Sequence, residues 1–261
     1  NYAEAYSNFD RTNYTQSDYR AIVGESLGLI YGYEFDGIYQ VDDFYTSAAT
    51  GKLILKPGIT NNTRYDGGAA PGVVKYKDQN GDGKITTADR TVIGNAMPKW
   101  FGGITNSFSF KGIDFSFMLQ YSYGNDVFNA TRQFATGSQD QRYNMLAEVA
   151  DRWSPTNASN KVPSTKGYVK GDVYSRFVED GSFLRLKNMT LGYSLPKKWI
   201  NKIHISKLRI YGTAQNLFCI SGYSGYDPEV STAASNPMTP GLDWGAYPKS
   251  RVFTFGLDVQ F

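Results

Sequence analysis

The chain of 261 residues is long enough for one large all-β unit or two ordinary domains, and its 15% aromatic content is high beside 41% hydrophobic residues. A formal net charge of +3, with no run of five or six like charges, speaks against a nucleic-acid partner. The single cysteine, Cys219, excludes an intrachain disulfide and a cysteine zinc cluster, and no stretch of about 18 apolar residues offers a transmembrane helix.

The chain opens NYAEAYSNFD, with neither an initiator methionine nor a charged n-region, so it reads as an internal piece of something longer rather than as a signal peptide. A weak strand is expected over residues 14–26. A stronger one is expected over 28–41, where Leu29, Tyr31, Tyr33, Phe35 and Tyr39 alternate with Ile30, Gly32, Glu34 and Asp36.

The long link 42–100 contains DQNGDGKITTAD, residues 78–89, in the layout of an EF-hand calcium loop. Asp78, Asn80 and Asp82 offer side-chain oxygens, Lys84 its backbone carbonyl, Thr86 an oxygen direct or through water, and Asp89 the closing acid. Gly83 permits the sharp turn. Calcium is the expected ion. Asp89 in place of the usual Glu reaches less far, which weakens the site or shifts it toward Mg2+. Two simpler explanations compete: NGDG is turn-prone by itself, and Thr86-x-x-Asp89 matches a helix capping box.

Two strands of barrel length follow, over 101–111 and 113–124, joined by Lys111-Gly112 in a tight hairpin. Ile113, Phe115, Phe117, Leu119, Tyr121 and Tyr123 share one face; Asp114, Ser116, Met118, Gln120 and Ser122 share the other. In the next long link a helix is expected within YNMLAEVADRWSPTN, with Leu146, Val149, Ala150 and Trp153 at helical spacing, Asn144 as cap and Pro155 as stop. Over 183–195, Met189, Leu191, Tyr193 and Leu195 form a face with which Leu184 and Leu186 are out of phase. That predicts a β-bulge near Lys187-Asn188. His204 lies alone among basic and apolar neighbours. With no GxSxG elbow and no nucleophile–base pair, an enzyme is not expected. A strand over 207–218 precedes a loop carrying Tyr223, Tyr226 and Trp244, which could stack on a ligand or pack against a partner. The last strand, 251–261, sets Arg251, Phe253, Phe255, Leu257, Val259 and Phe261 against Val252, Thr254, Gly256, Asp258 and Gln260.

Such alternation suits a soluble β-sandwich or an outer-membrane barrel. Strand length favours the barrel, because a membrane strand needs about 9–11 residues and an ordinary strand about 5–6. Seven expected strands have short and long connections in alternation, as barrels do. The fold expected is therefore all-β, a transmembrane antiparallel β-barrel portion spanning 1–261, with the metal loop 78–89 in a long extracellular loop. The alternative is a secreted, calcium-stabilised β-sandwich that binds carbohydrate.

The run YKDQNGDGKITTADRTVIGNAMPKWFGGITNSFSFKGIDFSFMLQYSYGND resembles the C-terminal part of the SusC/RagA family of TonB-linked outer-membrane proteins. VGESLGLIYGYEFDGIYQ, ADRWSPTN followed by VPS, VEDGSFLRLKNMTLGYSLP and the terminal FGLDVQF resemble it too. The resemblance runs from about Val23 to Phe261. It implies part of a plugged barrel of about 22 strands in the outer membrane of a Gram-negative bacterium. It further implies import of oligosaccharides, peptides or similar nutrients, a SusD-like surface lipoprotein as lid, and energy from the TonB complex. The plug that TonB pulls is expected upstream of these residues and is not present in this chain. Phe261 on an amphipathic last strand resembles the signal read by the barrel-assembly machinery.

Overall fold

Five long strands build one sheet. In the computed structural model, which describes residues 19–137, 143–200, 204–232 and 239–261, they are β1 (Trp100–Phe110), β2 (Ile113–Tyr123), β3 (Phe183–Ser194), β4 (Lys207–Ser221) and β5 (Val252–Gln260). Each pairs antiparallel with its sequence neighbour, giving a simple meander. Lengths of 9 to 15 residues match a tilted crossing of a bilayer.

The register brings the alternating faces into line across all five strands. Phe108 opposes Phe115, Phe115 opposes Leu191, Leu191 opposes Gly212, and Gly212 opposes Phe255. These belong to the apolar side, where Phe108 is 58%, Leu191 55% and Phe255 85% exposed. On the reverse, Ser107 opposes Ser116, Ser116 opposes Thr190, Thr190 opposes Thr213, and Thr213 opposes Thr254. A single sheet with its aromatic side bare cannot be a water-soluble sandwich, because a contiguous apolar patch of this kind demands an apolar partner. A bilayer would suit that side and a wet interior the polar one, as in an outer-membrane barrel.

The hairpin forms at Lys111-Gly112, both at positive φ (46° and 86°), as a type I′ turn requires. The expected bulge is present: the register shifts between Leu186 and Asn188 on both neighbours of β3. Lys187 is the additional residue relative to β2. On β4 the irregularity coincides with Asn216 at φ 50°, a residue type that tolerates the left-handed region. The shift returns Leu184, Leu186 and Met189 to the same side of the sheet.

The links 111–112 and 195–206 are short, whereas 124–182 and 222–251 are long. All long connections, and the chain before β1, therefore leave from one end of the sheet.

The remaining chain folds separately. The chain divides into a unit of 1–97, 126–179 and 230–245, and the sheet unit of 98–125, 180–229 and 246–261. The core of the first is rich in tyrosine, with Tyr19, Tyr33, Tyr39, Tyr76 and Tyr174 buried beside Ile30, Val74, Ile85, Phe128 and Leu242. Tyr33 stacks on Tyr76 at 4.8 Å, and Tyr174 meets Phe177 edge-on at 5.0 Å.

Three expectations change here. The run 28–41 is not a membrane strand but two short ones, Leu29–Gly32 and Phe35–Ile38, inside this first unit. Ile30 and Gly32, read as the polar-side phase, are as buried as Leu29 and Tyr33, and Gly37 at φ 104° interrupts the run. Strand 14–26 reduces to Tyr19–Arg20, with 14–18 outside the described residues. The sheet thus holds five of the seven expected strands. The helix expected in 143–157 is one 3-10 turn, Ala147–Asp151, with Leu146 rather than Asn144 at its start. An α-helix stands instead at Ala130–Gly137.

Candidate functional site

Two features are candidates for function: the polar side of the sheet and the acidic loop of the first unit. On the polar side, Arg209 of β4 reaches across β3 to Asp114 of β2. Its Nε donates to Asp114 Oδ1 at 2.9 Å, and a second guanidinium nitrogen donates to Oδ2. The fork lies over Gly192, where any Cβ would come within 2.6 Å of both partners. Glycine on β3 is what allows the pair to span three strands. One register step further, the Thr190 and Thr213 hydroxyls lie 3.2 Å apart.

Toward the long-connection end the same side becomes densely charged. Arg185 donates to Asp227 at 2.5 Å, and both side chains are under a tenth exposed. Glu229 gathers Lys249, Lys187 at 3.6 Å and Arg185 at 3.8 Å, and accepts from Gln120 at 3.4 Å. Burial works to raise the Glu229 carboxyl, but Lys249, Lys187 and Arg185 together hold it below its ordinary range. Sequence reasoning did not single out this cluster. Its signal was Arg185 and Lys187 in the polar phase of a membrane strand.

The acidic loop is a folded turn. Asp78 accepts backbone N–H groups of Gly81 at 2.7 Å and Gly83 at 2.8 Å. Desolvation opposes its ionisation, but those N–H groups outweigh it and keep the carboxyl below its ordinary value. Asn80 Oδ1 accepts from Asp82 N–H at 2.9 Å, and Asp82 Oδ1 from Lys84 N–H at 2.8 Å. Gly81 and Gly83 stand at φ 74° and 80°, a conformation that suits glycine. Ile85, fully buried, anchors the loop to the core, and its N–H donates to Asn61.

Asp89 plays the capping part. Its Oδ2 accepts from Thr86 N–H at 2.7 Å, its Oδ1 from Gln79 N–H at 3.0 Å, and Thr86 Oγ1 accepts from Ala88 N–H. The capping box of the 3-10 turn Thr87–Asp89 is complete, with Asp89 0% exposed. Asn80, Asp82 and Lys84 are exposed and Asp78 and Thr86 are half-buried. Among the described residues no three His, Cys, Asp or Glu side chains converge as a metal cluster. The donor set is hard oxygen, as Ca2+ or Mg2+ requires. The oxygens of Asp78, Asn80 and Asp82 keep lone pairs beyond the bonds they accept within the turn, so they fit such an ion; Asp89 is already committed to the backbone.

The aromatic candidates divide. Tyr223 is buried at 8% exposure, with its ring lying where a Cβ on Gly225 would sit. Tyr226 is 78% exposed. Trp244 belongs to the first unit and meets Phe134 edge-on at 5.4 Å. Phe261 follows β5 on the apolar phase and is 92% exposed. No described helix is long and apolar enough to cross a membrane.

No family model matches the chain. It is 35% identical over 243 residues to TonB-dependent receptor P3 of Formosa agariphila, covering 91% of this chain and 22% of that protein. It is 34% identical over 247 residues to receptor P26 of the same organism, covering 93% and 23%. TonB-dependent receptor SusC of Bacteroides thetaiotaomicron is 32% identical over 199 residues, covering 76% and 18%. The chain therefore spans about a fifth of the length of these relatives. Among solved structures, the RagAB peptide transporter matches with a TM-score of 0.66 at 24% identity, over 96% of this chain and 24% of that one. The RagAB peptide importer in its open-open state matches at 0.65 and 20% identity, over 97% and 24%.

Proposed function

From the premise that this chain is a barrel segment of the SusC/RagA family of TonB-linked outer-membrane proteins, we propose that it forms part of the wall and outer loops of a nutrient importer. The observation that carries the reading is the sheet's two faces. A predominantly apolar side suits acyl chains, and a polar side with cross-strand ion pairs suits a water-filled passage. The imported solute is an oligosaccharide, peptide or similar nutrient. A SusD-like surface lipoprotein closes the mouth, and the TonB complex supplies energy through a plug elsewhere in the full-length protein. The setting is the outer membrane of a Gram-negative bacterium. The names of the relatives, receptors and importers, point away from an enzyme.

The full-length receptor, affinity-purified from outer membranes, is expected to bring down one stoichiometric surface lipoprotein, and deleting either gene is expected to abolish growth on the same polymer-derived nutrient. Recovery of the receptor from the soluble fraction, or growth unchanged on every such nutrient, sinks the proposal.

The loop 78–89 is assigned a divalent-ion brace, with Asp78, Asn80 and Asp82 as side-chain ligands, Lys84 through its carbonyl, Thr86 beside them, and Asp89 holding the turn. An extracellular module of this kind can work at a Kd of about 10⁻⁴–10⁻³ M, where calcium is plentiful. Asp82→Ala is expected to remove calcium-dependent protease protection of residues 75–95 without affecting membrane insertion. Equal protection in mutant and wild type counts against the brace.

A further inference from the structure

The short-link end of the sheet carries a charge that the rest of the chain lacks. Residues 111–112 and 195–206 contain Lys111, Lys197, Lys198 and Lys202 and no Asp or Glu. They sum to +4, whereas the whole chain is +3, so everything else together is −1. The ammonium of Lys111 lies 5.1 Å from the centre of the Phe110 ring, which is 69% exposed and on the apolar phase of β1. That contact places the charge at the rim of the lipid-facing side. Lys197 and Lys198 are exposed on the single turn Lys197–Ile200 and have no ion-pair partner among the described residues. Beside them Trp199 is 65% exposed while Ile200 is buried. The nearby acids are already engaged, Asp258 with Lys207 at 3.7 Å and Asp114 with Arg209.

We propose that this end of the sheet is a docking surface for anionic phospholipid headgroups, in the leaflet that meets the short links. Lys111, Lys197 and Lys198 hold the phosphates, and Phe110 and Trp199 sit in the interfacial layer. Three physical facts support this occupant. The surface continues the apolar band that the barrel reading turns toward acyl chains. Exposed tryptophan and phenylalanine favour the headgroup level. Lysine stems lie along apolar surface while their ammonium groups reach phosphate, and each such charge adds attraction to an anionic leaflet. The inference rests on the barrel reading above and names the lipid class it selects.

The test uses the full-length receptor in mild detergent, offered equal phosphatidylglycerol and phosphatidylethanolamine, with bound lipid counted by native mass spectrometry. Wild type is expected to retain phosphatidylglycerol preferentially. K111Q/K197Q/K198Q is expected to lower the phosphatidylglycerol-to-phosphatidylethanolamine ratio by about tenfold or more. The single exchanges K197Q and K198Q, both on exposed side chains, are measured in parallel and are each expected to lower it severalfold, so an insertion defect in the triple variant leaves the test intact. An unchanged ratio in variants that insert like wild type overturns the proposal and gives these lysines to a protein partner or to solvent. Failure of the wild-type receptor to enter the membrane fraction overturns the barrel reading instead.

Discussion

Gly192 shows how one residue sets the character of the polar wall. The Arg209–Asp114 fork occupies the space of its missing Cβ. Gly192→Ala is expected to push the pair apart and lower stability, by less than the loss of a buried charge-assisted bond would because both partners are part-exposed. Urea unfolding of the full-length receptor in micelles measures it, and unaltered stability refutes it. In the other unit, Glu148 accepts from Arg132 Nε at 2.8 Å and from Arg176 at 3.1 Å. The Arg132 bonds, aided by the Arg176 charge and opposed by desolvation, hold its carboxyl below the ordinary 4.5. A lowered carboxyl contributes stability that is present above its unfolded pKa and is lost as pH falls through the folded one. Protease resistance of residues 126–179 should therefore be level from pH 8 to about 5 and decline below about 4.5. Glu148→Gln should remove part of that acid-side decline, which pH-stepped limited proteolysis reads directly.

At the scale of elements, the hairpin and the bulge were legible and the buried strands were not. Lys111-Gly112 identifies its turn because few residue pairs accept two positive φ values. Gly112→Ala meets both a left-handed backbone and a contact of 2.7 Å with the Ser194 carbonyl. A loss of about 1–3 kcal/mol is expected, seen as slower appearance of the folded band in heat-modifiability gels. Wild-type kinetics and stability would refute that reading. The bulge at Lys187 was readable because two leucines fell out of phase with their neighbours, and only an additional residue restores them. The 28–41 run also alternated, yet alternation reports only which residues differ, not whether the second face is covered. The helix Ala130–Gly137 escaped notice because the residues it buries, Ala130, Gln133 and Thr136, form no apolar stripe.

For the whole molecule, the decisive quantity is which solvent meets each side of the sheet. Leu191 and Thr190 are adjacent on β3 and point to opposite sides. Leu191→Arg is expected to cost about 1–2 kcal/mol, below the midplane penalty because Leu191 lies three residues from the end of β3, with Thr190→Arg far milder because it faces water. Equal penalties measured by denaturant titration in lipid vesicles would show that the two sides meet the same medium. The long connections share one end of the sheet, and the chain in them folds into a unit with its own tyrosine-rich core.

The sequence by itself determined the alternating strands, their membrane length, the I′ hairpin, the bulge and the turn chemistry of residues 78–89, because each depends on a period or a backbone preference that a few neighbouring residues express. Tertiary structure decided which alternating runs enter the sheet and that Arg185, Asp227, Glu229 and Lys249 meet on one side. Those outcomes depend on register and on residues far apart in the chain, and a local pattern carries no information about which distant group will cover a face or neutralise a charge.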